Sequence, residues 1–219
     1  YRGRPEELEA LGHSLRKLHR ALRAYPDADA TKRRSQVRFA ALRHRAERLQ
    51  AALAVSPERL ADDLAPYADW IATNRDWLAR TAAQIDVRSL ADCSDAQCVH
   101  GEPHPANVVF EDGKAVLIDF EEAVHLFVSP RWDIAFAVQR FVLADDPAPE
   151  ERRARLNALA RGYGQDIVDK DAMRCVAWTT LMIIFDTWIQ KGVAAPLSEC
   201  EKFRRLEEQA RSIDMDAEL

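Results

Sequence analysis

The chain has 219 residues, a formal net charge of −5 and 47% hydrophobic residues, which is enough for one substantial hydrophobic core. The first residues contain no apolar run long enough for a secretory signal or a membrane span, so we predict a cytoplasmic protein with no membrane partner. Four cysteines without paired CxxC spacing exclude a disulfide-rich scaffold and favour reduced thiols.

The charge is distributed unevenly along the chain. Residues 1–50 carry a net charge of +7 and the remaining residues carry −12. Most of the basic residues fall in one helical stretch, which could offer a face to nucleic acid. A solvated or partner-facing helix surface is favoured instead, because no nucleic-acid-binding module surrounds it. We therefore predict no nucleic-acid partner.

A stripe of leucines begins the helical part of the sequence. The leucines recur at intervals of three and four behind Pro5, which predicts an amphipathic helix over about residues 5–24. A second helix is predicted over about 31–54, and a short capped helix at Ser56-Pro57. After a break at Pro66, a longer helix carries apolar residues predicted to lie in the core: Trp70, Ile71, Trp77, Leu78 and Ile85.

The helical pattern is interrupted once, by a predicted β-hairpin. Two short runs, 108–110 and 115–118, are joined by Asp112-Gly113, which is a strong signal for a hairpin turn. A polar loop comes immediately before the hairpin.

Helices are predicted again over about 130–143, 149–162, 169–191 and 198–212. The third of these is apolar on most faces and is predicted to be the central buried helix. The last begins with a capping box formed by Ser198 and Glu201. The sequence thus predicts one domain of mainly α, α+β class, with a core over about 5–212 and an acidic tail over 213–219.

The segment HGEPHPANVVFEDGKAVLIDFEEA, residues 100–123, concentrates polar side chains around the hairpin. Glu102 and Asn107 precede the first strand and Asp119 follows the second. Because a hairpin brings its two ends together, these oxygen-bearing side chains are predicted to share one mouth. Mg²⁺ bound together with a phosphorylated molecule requires a small number of hard oxygen ligands from the protein.

This spacing resembles the catalytic loop and metal motif of protein-kinase-like phosphotransferases. HGEPHPANVV with LIDFEEA is most similar to the aminoglycoside phosphotransferase and choline kinase-like family, and SPRWDIAFAV matches a further segment of it. The resemblance covers roughly residues 5–210. It implies a protein-kinase-like C-terminal lobe, with the small hairpin carrying the catalytic and metal motifs.

The resemblance also implies roles for individual residues. Glu102 would be the catalytic base, His100 would support the catalytic loop, and Asn107 and Asp119 would bind Mg²⁺ together with ATP or GTP. Asp133 would be a structural brace for the loop. His104 remains open between a loop-packing role and a contact with a cofactor phosphate.

Only 14 positions separate Asp119 from Asp133, with no Ala-Pro-Glu segment between them, which leaves little room for a peptide-docking activation loop. The predicted acceptor is therefore a hydroxyl of a small molecule, including cationic ones such as aminoglycosides. Acidic residues of the C-terminal part are either solvated surface or a rim for such a substrate: Glu121, Glu122, Asp145, Asp146, Glu150, Glu151 and Asp186.

The sequence departs from the family at two points. Glu102 stands where the family usually has Asp, and a misplacement of about 1 Å can cost about 10²-fold in rate, so the base is either adapted or degraded. The strand-rich N-terminal lobe, with its phosphate-covering loop and strand lysine, is missing before Tyr1. We therefore expect either an incomplete, inactive fragment of a longer kinase or a lobe that works differently.

Three rival interpretations were weighed. His100-x-Glu102 fits the first half of a zinc deaminase motif, but Cys175 and Cys200 lack the required spacing. His100 and His104 could ligate a metal from a helix, although Pro103 and Pro105 disfavour helical geometry there. The alternative to a kinase is a non-catalytic kinase-like binding or scaffold protein that retains the loop for its shape.

Overall fold

The computed structural model describes residues 3–55, 64–164 and 169–212 and shows a mainly helical protein with a small content of antiparallel strands. The predicted mainly α class is therefore confirmed. The predicted helix at Ser56-Pro57 and the tail 213–219 lie outside the described residues.

Four α-helices are described in residues 3–55 and 64–84. They are α1 (Pro5–Leu22), α2 (Ala28–Val55), α3 (Ala68–Thr73) and α4 (Arg75–Gln84), and a 3₁₀ turn, Ala65–Tyr67, lies at the predicted break. The long helix predicted after Pro66 is two helices because Asn74 interrupts it. The Asn74 side-chain amide donates to the carbonyl of Trp70 at 2.8 Å, a local bond that competes with continued helical geometry.

Further helices follow the hairpin in the described part: α5 (Arg131–Ala137), α6 (Pro149–Tyr163), α7 (Lys170–Lys191) and α8 (Leu197–Ser212). The predicted helix over 130–143 is α5 followed by a π-helical turn, Val138–Val142. The predicted capping box is wrong. Because α8 begins at Leu197, Ser198 already lies inside its first turn, and the Glu201 carboxylate is held by Arg204 and by the indole N–H of Trp70 instead.

The predicted hairpin is confirmed as β2 (Val108–Glu111) paired with β3 (Lys114–Leu117). Asp112 and Gly113 both have positive φ, 48° and 70°, as a two-residue type I′ turn requires. The sequence did not predict a second pair, in which β1 (Gln97–Cys98) joins β4 (Phe127–Val128). Strands of two residues are too short to show an alternating pattern.

Helices α1 and α6 approach each other backbone to backbone. A Cβ atom on Gly162 would lie 2.0 Å from the carbonyl oxygen of Glu9, and one on Gly12 would lie 2.4 Å from that of Leu159. Only glycine permits this separation, so the two helices form one rigid unit. The Ser14 hydroxyl also donates to the Ala115 carbonyl at 2.5 Å, which attaches the hairpin to α1.

The core is centred on α7, as predicted. Four tryptophans are buried in or against it: Trp70, Trp77, Trp132 and Trp178. By length and composition α7 could cross a membrane, but more than half of its most apolar window is buried within the fold. A central core helix has the same composition.

Candidate active site

The polar loop between β1 and β2 is held from behind by Asp133, in the first turn of α5. One oxygen of this carboxylate accepts from the N–H of His100 and the other from the N–H of Gly101, both at 2.8 Å. The indole N–H of Trp132 donates to the Gly101 carbonyl at 2.8 Å. Asp133 therefore braces the loop, in agreement with the resemblance.

The brace extends to the α1–α6 unit through a histidine that sequence analysis missed. His19 lies 2.9 Å from the Asp133 carboxylate through Nε2 and 2.9 Å from the Tyr163 hydroxyl through Nδ1. All three side chains are buried. The only sequence signal was the position of His19 on the leucine face of α1, four residues after Leu15.

Gly101 is required where it lies. Its φ is +98°, and a Cβ atom would lie 2.8 Å from Cβ of Glu122 and 2.9 Å from Cδ1 of Leu126. A side chain would therefore meet both a strained backbone and two occupied neighbours.

His100 connects the loop to the end of β3. Its Nε2 lies 3.0 Å from the Ile118 carbonyl, which can only accept, so Nε2 carries the proton. Nδ1 is then free to accept the N–H of Glu102 at 3.4 Å. Because both nitrogens are engaged, a metal-ligating role for His100 paired with His104 is excluded. These contacts make His100 a positioning residue for Glu102.

Glu102, the predicted base, is half-buried. Burial raises the pKa of its carboxyl, and the carboxylate of Glu122 raises it further, whereas Arg38 lowers it. Asp119 also adds to the upward shift, so the two acids lie near each other. A carboxylate with a raised pKa binds protons more strongly, which is the property required of a general base.

Asn107 and Asp119, the predicted metal ligands, differ in their surroundings. Asn107 is buried, and its Nδ2 donates to the Glu102 carbonyl at 3.1 Å. Asp119 is exposed, two residues beyond β3, with a φ of 62°. No described residue makes a hydrogen bond or ion pair with its carboxylate.

Within the described ranges, no group of three or more histidine, cysteine or acidic side chains is arranged to hold a metal ion. Asn107 and Asp119 supply two oxygen-bearing side chains. This set suits Mg²⁺, which proteins commonly bind through one or two such groups together with substrate phosphates. It does not suit zinc, which prefers cysteine and histidine ligands. Burial raises the pKa of Cys175 to about 11 and that of Cys200 to about 12, which keeps both as thiols.

His104 has a loop-packing role. Its Nδ1 accepts the N–H of Ala106 at 3.2 Å, which caps the short turn Pro105–Asn107. Its ring lies 6.4 Å from that of Phe136, and burial, with Arg140 nearby, lowers its pKa. The phosphate contact stays a prediction and would use Nε2.

A family model described as the phosphotransferase enzyme family matches residues 2–173. A comparison with curated proteins finds no match. The matched range includes the brace, the polar loop and the hairpin, and it stops before α8. Because the match extends over most of the chain, this protein belongs to the phosphotransferase enzyme family.

Proposed function

We propose that this protein transfers the γ-phosphoryl group of ATP, or GTP, to a hydroxyl of a small molecule. Membership of the family supports phosphotransfer in general. The observation that carries the finer proposal is the half-buried Glu102 with its raised pKa, held by His100 beside the exposed carboxylate of Asp119.

Glu102 accepts the hydroxyl proton of the acceptor as the phosphoryl group is transferred. Its backbone is fixed at both ends, since its N–H donates to His100 and its carbonyl accepts from Asn107. Such positioning keeps the base aligned with the hydroxyl and removes an entropic cost from the reaction. The family's usual aspartate is one methylene shorter, so this loop must hold the longer side chain further back.

Asn107 and Asp119 would hold Mg²⁺. With Nδ2 of Asn107 committed to the Glu102 carbonyl, Oδ1 is the atom left for the cation. When bound, the metal neutralises charge on the nucleotide phosphates. Asp119 has a left-handed backbone conformation. Such a conformation costs a non-glycine residue about 1–3 kcal/mol, and residues of this kind cluster at functional sites.

The lobe assignment is supported by an apolar surface beside the mouth. Val109 and Val116 face each other across the hairpin and are 44% and 48% exposed, and Ile118 and Phe120 continue the surface at 40% and 42%. In a two-lobed kinase this side of the hairpin would be covered. We propose that the chain is the C-terminal lobe and that this surface meets the nucleotide and the other lobe.

A cationic acceptor such as an aminoglycoside is supported by the resemblance alone. Four of the seven acids predicted as a rim for it are paired with arginines. Asp145 and Glu151 both pair with Arg155, Asp186 pairs with Arg45, and Glu122 pairs with Arg38.

The proposal is tested in the full-length protein containing this chain, by measuring phosphate transfer from ATP and GTP to a panel of small hydroxyl compounds. Glu102→Gln is expected to lower kcat by about 10²-fold or more, and Glu102→Asp should not exceed the wild type. Glu111→Gln, an exposed acid at the hairpin turn, is the matched control. Wild-type turnover by Glu102→Gln would remove the proposed base.

The scaffold alternative makes a different prediction for the same protein. It expects no transfer to any acceptor, with Mg²⁺-dependent nucleotide binding either absent or unaffected by Glu102→Gln. Calorimetric titration of ATP with and without Mg²⁺ therefore separates the two functions.

A further inference from the structure

Arg140 lies near the candidate base and has no role in the proposed mechanism. It lies in the π-helical turn after α5, a type of distortion that is frequent at functional sites. Its guanidinium carbon is 5.3 Å from the Phe136 ring and 5.0 Å from the Phe203 ring. These two cation–π contacts hold the side chain between α5 and α8.

This guanidinium has no anionic partner in the described part of the chain. No carboxylate forms an ion pair or hydrogen bond with it, and its Nε is buried without a hydrogen-bond partner. Burial lowers the pKa of Arg140, and the negative charges of Glu199 and Glu102 raise it by a smaller amount. A half-buried cation without a paired anion is costly, and a bound anion would reduce that cost.

Arg140 also lines a pocket that is open to solvent. The charged residues around it are Arg140, Lys202 and Arg205, with Asp146 as the single acid. The Asp146 carboxylate accepts from the side-chain amide of Gln209 at 3.3 Å. Lys202 is paired with the Glu199 carboxylate, so Arg140 and Arg205 are what leave the pocket net cationic, and a net positive charge suits an anion.

The pocket adjoins the candidate active site through aromatic contacts. Phe136 touches both the His104 ring and the Arg140 guanidinium, and the charge of Glu102 acts on Arg140. The Arg140 guanidinium is therefore one aromatic ring away from the polar loop that carries Glu102.

The anion at Arg140 is distinct from the nucleotide phosphates. The candidate metal ligands come from the hairpin and the loop before it, whereas Arg140 is held by rings of α5 and α8. An anion bound there is a second one, and the acceptor is the molecule that meets the base.

We propose that Arg140, with Lys202 and Arg205 at the rim, binds a carboxylate or phosphate group of the acceptor. The substrate class is then a hydroxy acid or a phosphorylated alcohol instead of a cationic aminoglycoside. This assignment deepens the proposed function and rests on it for the identity of the acceptor. The planar fork of arginine matches both oxyanions.

The anion site is tested without nucleotide, by calorimetric titration of the chain with inorganic phosphate and, separately, with lactate. We expect saturable binding of at least one, and the tighter of the two distinguishes a phosphate site from a carboxylate site. Arg140→Gln should weaken that binding at least tenfold, whereas Arg33→Gln, an exposed arginine of α2, should leave it unchanged. Absence of saturable binding, or equal binding by Arg140→Gln, overturns the proposal.

Arg140→Lys keeps the positive charge and is the second variant for the binding test if Arg140→Gln does not fold. It should bind more weakly than wild type because it lacks the planar fork, and equal affinity would overturn the assignment of Arg140.

An activity test in the full-length protein separates this inference from the proposed function. Arg140→Gln should raise KM at least tenfold for anionic hydroxyl acceptors and leave KM for uncharged ones unchanged. If Glu102→Gln retains full activity while the anion site responds to Arg140→Gln, the proposed function fails and the anion site stands. If KM for anionic acceptors does not change, the assignment of the acceptor fails.

Discussion

Replacement of Asp133 by asparagine weakens the hydrogen bonds that hold the polar loop. In the wild type one oxygen accepts from both His100 and His19, and the other accepts from Gly101 alone. The least costly asparagine orientation therefore sets its NH₂ group against the Gly101 N–H. One hydrogen bond to a charged group is lost, and a buried N–H is left facing another donor.

The structure gives the size of the effect. A hydrogen bond to a charged group contributes about 1.5–3 kcal/mol, and an unsatisfied buried donor costs about 1–3 kcal/mol, so we expect a loss of about 3–5 kcal/mol in the free energy of unfolding. For a chain of this length, each kcal/mol lowers Tm by about 2–4 °C. The expected decrease for Asp133→Asn is therefore about 10 °C.

Thermal unfolding by circular dichroism, with urea unfolding as a second measure, tests this expectation. Asp112→Asn is the matched control, because Asp112 is exposed in the hairpin turn and asparagine tolerates its positive φ. A Tm within 2 °C of wild type for Asp133→Asn would refute the brace, since ~1 kcal/mol or less would then be lost.

Three further predictions concern the mouth of the site. Asp119→Asn should abolish phosphate transfer while leaving Tm nearly unchanged, because the exposed carboxylate makes no hydrogen bond within residues 3–55, 64–164 and 169–212. Gly101→Ala should destabilise by about 2–4 kcal/mol in urea unfolding, whereas Gly113→Ala, with positive φ but nothing within 4 Å, should cost only about 1 kcal/mol. Glu102→Gln should be at least as stable as wild type at pH 7, because burial raises the folded pKa of this acid. An acid whose pKa is raised in the folded protein lowers the stability of the wild type as pH rises above the unfolded pKa. Below about pH 4.3 the glutamate is protonated in both states, so the advantage of Glu102→Gln should disappear there.

Each of these expectations has a contradicting result. Turnover by Asp119→Asn at the wild-type rate would exclude it as a metal ligand. Equal unfolding free energies for the two glycine variants would mean that Gly101 is not crowded. A Glu102→Gln variant less stable than wild type at pH 7 would show that the native carboxylate is stabilised by its surroundings.

Local signals predicted much of the fold. The hairpin was predicted at the correct residues because Asp112-Gly113 specifies its turn chemistry. Hydrophobic periodicity marks α1, and a long stretch that is apolar on most faces marks α7. The split at Asn74 and the false capping box at Ser198 show where local patterns fail. In both places a side chain has two competing hydrogen-bond options, and the tertiary structure selects between them.

The candidate site was predicted in part for the same reason. His100, Glu102 and Asn107 lie in one short segment, so a motif marks them and the loop's own hydrogen bonds join them. His19 and Arg140 belong to helices far from that segment in sequence. The placement of His19 depends on how α1 packs against α5, and that of Arg140 on how α8 packs against the π-helical turn, and residue spacing encodes neither.

The π-helical turn Val138–Val142 offers a simple route by which the position of Arg140 can change during evolution. A π-turn is equivalent to one residue inserted into an α-helix, so deletion of one residue between Asp133 and Arg140 would restore regular helix. Each residue of an α-helix turns by about 100°, and Arg140 would rotate out of the gap between Phe136 and Phe203. Asp133, upstream of the deletion, would keep its place. A single-codon deletion could therefore change the charge preference of the pocket during evolution without disturbing the loop that carries the base.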